Sequence, residues 1–303
     1  MGNAFLSPFR PQPAAGNVAE VSPMPLDMMN IVPENNLRLP DALTIKYGPA
    51  RLLSRFVIAA DRAVRRRGIT LRVRHDFDAL VDLAKFYAAR DLWYPLIDAF
   101  NPRCADLTPD NAFWIAGENE KGEIVVTNAC RVLDWRGTNL AEQACNLWYG
   151  RKPAQPCILT ADAGDLIGGY VAWGGAAWIR PDYRGKQLSY LTGRTHKAYA
   201  CARWPIDWSF CYIGINNVKR GLAATWGHKH LSYSIEHPDS PLGEMVIAYT
   251  AADDFYADIA EFMANGGVID DDDRDPAELP SGFEHSVTNT SPDGVFQGSI
   301  SLS

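Results

Sequence analysis

Residues able to do chemistry concentrate between Trp173 and Ala200, and again between Tyr212 and His237. The densest group is Tyr183-Arg184-Gly185-Lys186-Gln187, a basic turn between a strand-like run and a helix-like run. A helix N-terminus presents backbone N–H groups that lack intrahelical partners at the positive end of its dipole. With two cationic side chains beside it, such a turn suits a pyrophosphate. Downstream, Tyr212 lies near the end of an apolar run, and His228, His230 and His237 follow. Tyrosine and histidine can pass protons, histidine near neutral pH, so Tyr212 and His228 are the candidate catalytic acids. His228-Lys229-His230 offers two alternate ligands with only Glu236 nearby as a carboxylate, too few donors for a metal centre.

These residues need particular elements to hold them. Tyr170 to Ile179 is rich in aromatic and β-branched residues and closes at Arg180-Pro181, which predicts a strand ending at a turn. Leu188, Leu191, Thr195 and Tyr199 recur at helical spacing and predict a helix with that stripe inward and Arg194 and Lys197 outward. Gly174-Gly175 inside the strand points to a β-bulge there. Ile206 to Ile213, apolar on both faces, reads as a central strand. A helix from Val218 to Gly227 and strands at Leu231–Ile235 and Glu244–Tyr249 follow.

Ile179, Pro181, Arg184, Gly185 and Leu188, lying between a strand and an amphipathic helix, resemble the acyl-CoA signature of the GNAT superfamily of N-acetyltransferases. Gln187 stands where that pattern has glycine, and Ser189 where it has Gly or Ala. The resemblance implies an α/β fold of GNAT acyl-CoA acyltransferase type, with a mixed central sheet splayed between two strands and flanked by helices. It implies that the turn, Arg184, Gly185, Lys186, Gln187, Leu188 and Ser189, grips the CoA pyrophosphate, with Asn217 a further cofactor-binding position. Backbone groups at Ala177, Trp178 and Ile179 would hold the pantetheine arm, and a freed N–H would polarise the thioester carbonyl. Members of the superfamily often protonate the leaving thiolate with a Tyr late in the helix after the next strand. Here that place holds Trp226, whose indole is far too weak an acid. No carboxylate lies on the central strand to act as base; Asp207 opens the next strand, and a water chain is the other route.

The 303 residues allow one or two domains, and 47% hydrophobic with 21% charged residues describes a globular chain. A net charge of -7 argues against a nucleic-acid partner. Six scattered cysteines without a CxxC pair indicate neither zinc nor a disulfide framework, and the expected setting is cytoplasmic. No apolar run is long enough for a membrane span. Met1–Arg10 lacks a signal-peptide pattern, and Leu6 stands where myristoylation would want Ser or Thr.

Seven prolines before residue 45 predict an extended arm without regular elements. Pro49 to Arg67, closed by Gly68, predicts a helix with Leu52, Phe56, Val57, Ala60 and Val64 inward, and Arg51, Arg55, Arg62 and Arg66 on a solvated face. A strand at Leu71–His75, a helix from Phe77 to about Arg90 capped by Asp76, and a short helical piece at Tyr94–Phe100 come next. Ala112–Gly117 and Glu123–Asp134 read as a hairpin, and Asn139–Tyr149 as an inserted helix before a loop at Lys152–Pro156. Ala251–Met263 reads as a helix, and the Asp-rich stretch and tail beyond it as disordered.

The expected organisation is an arm and basic helix over 1–69, a GNAT-like domain over 70–265 and an acidic tail over 266–303. The expected function is acyl transfer, most often acetyl, from acyl-CoA to a small-molecule or peptide amine, with no metal. A non-catalytic module of the same fold is one alternative. Delivery by an acidic acyl carrier protein to a patch of Arg180, Arg184 and Lys186 is the other.

Overall fold

The computed structural model describes residues 36–147, 158–159, 162–233, 235–236 and 244–266. The chain divides into two units, Met1–Ile269 and Asp270–Ser303; everything described here belongs to the first. The arm over 1–35, the loop at Lys152–Pro156, His237 and the acidic tail fall outside the described residues.

Among the described residues, eight strands form one sheet: β1 (Leu37–Arg38), β2 (Ile69–Arg74), β3 (Ala112–Asn119), β4 (Ile124–Asn139), β6 (Gly168–Ile179), β7 (Trp208–Gly214), β8 (His230–Ser232) and β10 (Met245–Ala251). Their order is β1-β2-β3-β4-β6-β7-β10-β8. Of these neighbours, β6 and β7 pair in parallel. A parallel pair needs a crossover, and α6 (Leu188–Arg203) supplies it. A separate two-stranded piece joins β5 (Ile158–Leu159) to β9 (Ile235–Glu236). The single strand expected over Leu231–Ile235 is therefore two, in different sheets.

Helices cover both faces, because alternate positions of the central strands are apolar on both sides. On one face α2 (Ala50–Arg66), α6 and α9 (Ala252–Ala264) share a core of Leu53, Phe56, Val57, Leu188, Leu191, Tyr199, Phe255 and Ile259. The α2 helix and the sheet thus form one continuous packing. On the other face α3 (Phe77–Ala88), a 3-10 turn at Asp98–Phe100, α4 (Leu140–Leu147) and α5 (Asp162–Leu166) enclose Trp114, Trp173, Trp178 and Phe210. Two short helices, α7 (Ile215–Lys219) and α8 (Leu222–Thr225), follow β7.

Several local expectations are corrected. The part of the arm within the described residues carries β1 and a turn of helix, α1 (Leu39–Ala42), because Leu37 and Arg38 add to the free edge of β2. In α2 it is Leu53 that is fully buried, while Leu52 is half exposed. Arg51, Arg55, Arg62 and Arg66 are exposed as read. Asp76 does occupy the N-cap position of α3, without a side-chain capping bond. The helical piece at Tyr94–Phe100 shrinks to its last three residues. The helix expected over Val218–Gly227 is broken at Gly221, whose φ of 77° leaves the helical region.

The largest correction concerns α6. Lys197 is 0% and Arg194 6% exposed, against the expectation of a solvated face for both. The helix lies against the sheet on one side and beneath α2 and α8 on others, with Asp258 of α9 reaching Arg194, so beyond its first turn it has almost no outer face.

Candidate active site

The pairing of β6 with β7 runs from Val171↔Trp208 to Gly174↔Cys211 and stops. Beyond that rung β6 continues to Ile179 beside β4, and β7 continues to Gly214 beside β10. Two backbone edges therefore face each other in the middle of the sheet, Gly175–Ile179 on one side and Tyr212–Gly214 on the other. Such edges offer peptide N–H and C=O groups to an extended ligand that carries amides of its own.

The local sequence explains why the strands part. Between the pairs Ala129↔Gly175 and Thr127↔Trp178, β6 advances three residues while β4 advances two. The extra residue is a bulge at Ala176, whose φ is 50°, and Thr127 Oγ1 donates a 2.7 Å hydrogen bond to the Ala176 carbonyl that secures it. The bulge lies just past the two glycines rather than at them. Gly174 and Gly175 are needed for room: a Cβ on Gly174 would lie 2.9 Å from His196 Nε2, and one on Gly175 2.2 Å from the Phe100 ring. Helix α6 and the Asp98–Phe100 turn press on β6 from opposite sides at the point where the opening begins.

After β6 the chain makes a 3-10 turn, Pro181–Tyr183, then Arg184 extended, Gly185 at φ 79° and Gln187 at φ 55° as the N-cap of α6. A Cβ on Gly185 would meet open space, so conformation and not crowding calls for glycine there. Gln187 takes the left-handed conformation that glycine adopts most readily. The first turn of α6 carries no acidic side chain and no side-chain cap. Arg184, Gly185 and Lys186 are exposed, Gln187 and Ser189 half-buried, and Leu188 buried. The Arg184 Nε donates to the Ile179 carbonyl at 3.2 Å. Although the residue as a whole is exposed, desolvation of its guanidinium, and secondly the charge of Arg220, hold Arg184 below its ordinary range. Lys186 Nζ lies 4.4 Å from the centre of the Tyr183 ring. Arg180 is instead buried and paired with Glu123 at 3.1 Å and Asp182 at 2.8 Å, which removes it from the basic patch expected for a carrier protein.

The remaining expected residues divide between the two faces. Ala177 and Ile179 lie half-buried along the open edge of β6. Trp178 is buried, stacks on Trp93 at 5.0 Å and donates its indole N–H to the Leu92 carbonyl, anchoring that edge. Asn217 is exposed on α7. Tyr212 lines a pocket of about 30 Å³ with Tyr94, Leu96, Ile97 and the β6 residues from Trp173 to Ala176. Cys211, adjacent on β7, packs with Ile213, Ala223 and Ala248 instead. His228 lies on that second face, its Nε2 3.3 Å from Cys211 Sγ. Burial, and secondarily the Lys197 ammonium, hold His228 far below the ordinary histidine range, so it is neutral near pH 7. Tyr212 and His228 are not brought together, and His228 has no proton to give as an imidazolium. Asp207 accepts the Tyr170 N–H at 2.8 Å, near the β6–β7 rung farthest from the opening, and does not serve the site as a base. His230 is exposed, 3.8 Å from Asp254. Among the described residues no cluster could hold a metal, and no helix is long and apolar enough to cross a membrane.

Sequence reasoning missed the polar interior beside the opening. Lys197 Nζ donates to the carbonyls of Trp226 at 2.6 Å and Gly227 at 3.1 Å. Arg194 pairs with Asp258 at 2.8 Å and donates to the Thr225 carbonyl at 2.6 Å. The available signal was the run of small residues around α6, Gly193, Ala198, Ala200, Cys201 and Ala202, which leaves room for neighbours on every side.

No protein-family model and no curated protein matches the chain. Among solved structures, the GNAT domain of S. lividans PAT is 14% identical, with 60% of this chain covering 90% of that one at a TM-score of 0.37. A point mutant of the spermidine N-acetyltransferase SpeG from Vibrio cholerae is 10% identical over 62% of this chain and 96% of its own, TM-score 0.38. Mycobacterium smegmatis RimJ in complex with CoA-disulfide is 13% identical over 65% of this chain and 90% of its own, TM-score 0.39.

Proposed function

We propose that this chain is an N-acyltransferase of GNAT type that moves a small acyl group, acetyl above all, from acyl-CoA to an amine. The observation that carries this reading is the opening between β6 and β7 beyond Gly174 and Cys211, continuous with the basic turn that starts α6. A CoA molecule is an anionic diphosphate followed by an arm with two amides. The turn suits the first and the facing strand edges suit the second.

In this reading the backbone of Ala177, Trp178 and Ile179 pairs with the arm, and the bulge at Ala176 frees peptide groups for the thioester carbonyl. The Gly185–Ser189 turn with Arg184 and Lys186 takes the pyrophosphate, and Asn217 faces the cofactor from α7. Holding thioester and amine together supplies much of the rate. The neutral amine attacks the carbonyl, its proton leaves through water, and the departing thiolate takes a proton from Tyr212. The pocket at Tyr212, walled by Trp173, Leu96 and Ile97, is where the acyl group sits in this reading.

Calorimetry with acetyl-CoA on the wild type and on Gly185→Glu tests this. Micromolar binding by the wild type, lost when a carboxylate enters the turn, is the expected result. A folded wild type that binds no acetyl-CoA would sink the reading, and binding without turnover across an amine series would leave a non-catalytic module.

A further inference from the structure

The end of α8 is held from beneath by two cations of α6. Lys197 binds the Trp226 and Gly227 carbonyls, Arg194 binds the Thr225 carbonyl, and Asp258 of α9 fixes Arg194 with two bonds, at 2.8 and 3.1 Å. The last carbonyls of a helix lack partners and carry its negative pole, so cations there are favourable. A four-residue helix cannot hold its own shape by internal bonds, and this one takes its position from those contacts. The element so fixed packs Ala223 with Cys211 and Ile213 of β7, whose free edge is one side of the opening, and His228, three residues beyond the helix, lies against Cys211. Among the described residues no carboxylate is hydrogen-bonded to Lys197, whose amine is committed to these two carbonyls.

We propose that Lys197 is a positioning residue for acyl-CoA: by binding the Trp226 and Gly227 carbonyls it sets α8, and with it the β7 side of the opening, at the width the pantetheine arm requires. This rests on the acyl-CoA reading above. Lys197→Met removes the donors at similar volume, and Lys197→Arg restores charge and donors. Gly227→Ala leaves the Lys197 side chain in place but displaces the carbonyl it binds, since Gly227 sits at φ 73° with Asp258 Oδ2 2.5 Å and Arg194 Nε 3.2 Å from where a Cβ would stand. Thr195→Val, equally buried but bonded only within α6, is the control.

Acetyl-CoA affinity is read by calorimetry and backbone opening of residues 222–232 by hydrogen exchange. Lys197→Met and Gly227→Ala should weaken binding about tenfold and speed exchange there, Lys197→Arg should return most of the affinity, and Thr195→Val should change neither. Wild-type affinity in Lys197→Met, or no recovery in a folded Lys197→Arg, overturns the positioning role. Absence of binding by the wild type overturns the acyl-CoA reading instead. In that event unchanged exchange in Lys197→Met would still remove the hold on α8.

Discussion

Gln187 carries the most informative conformation in the chain. It stands in the left-handed region at φ 55°, at the position where the resembled signature has glycine. An L-residue there costs roughly 1–2 kcal/mol, offset in part because glycine loses more freedom on folding. Gln187→Gly should therefore stabilise the protein by up to about 1 kcal/mol, read as a higher urea midpoint; a fall would mean that the glutamine side chain contributes contacts of its own. Gly175 makes the opposite case. With Phe100 at 2.2 Å from a Cβ, Gly175→Ala forces the ring or β6 to move and should cost about 1–3 kcal/mol. Thermal unfolding at an unshifted midpoint would contradict the close approach described.

At the scale of elements, the strand, turn and helix that build the site were legible because each leaves a local signature. Tyr170–Ile179 is rich in aromatic and β-branched residues, Pro181 and Gly185 punctuate the turn, and the stripe of Leu188, Leu191 and Tyr199 marks α6. Register within a helix is less secure, as α2 illustrates. Leu52 and Leu53 are neighbours of identical type, and only packing against α6 and α9 decides which enters the core. Leu53→Ala should cost about 2–5 kcal/mol and Leu52→Ala clearly less, measured by paired denaturant curves; equal losses would place the helix in the other register.

Across the whole molecule, the buried cations and imidazoles of the α6 interior set the response to pH. Burial first, and then the Lys197 charge, push His196 down to about 3 from an ordinary 6.5, and His228 is lowered in the same way. A histidine that stays neutral when folded binds fewer protons than it does unfolded. Between about pH 6.5 and 3 the unfolded state is therefore favoured increasingly as pH falls. Lys197, pushed down by burial to about 7 from 10.5, adds a second window: stability rises as pH climbs from about 7 to 10.5. Urea midpoints should thus increase from pH 4.5 through 6.5 to 9, and His196→Asn should flatten the acidic limb. A midpoint that peaks near pH 5 would contradict the neutral interior.

The sequence by itself determined the order of the principal strands and helices, the basic turn at Arg184–Lys186, the exposed arginine stripe of α2 and the strand that carries Gly174 and Gly175. These depend on residue type and spacing over a few neighbours, which sequence records directly. It could not determine that Lys197 and Arg194 point inward, that the bulge falls at Ala176, that Arg180 is spent on Glu123 and Asp182, or that Tyr212 and His228 stand on opposite faces of β7. Each of those depends on what is packed against the residue from far along the chain: α8 and α9 over α6, Thr127 beside Ala176, Glu123 beside Arg180. Where a helix is covered on every side, its polar positions have no solvent to face, and the partners that stabilise them come from tertiary contact alone.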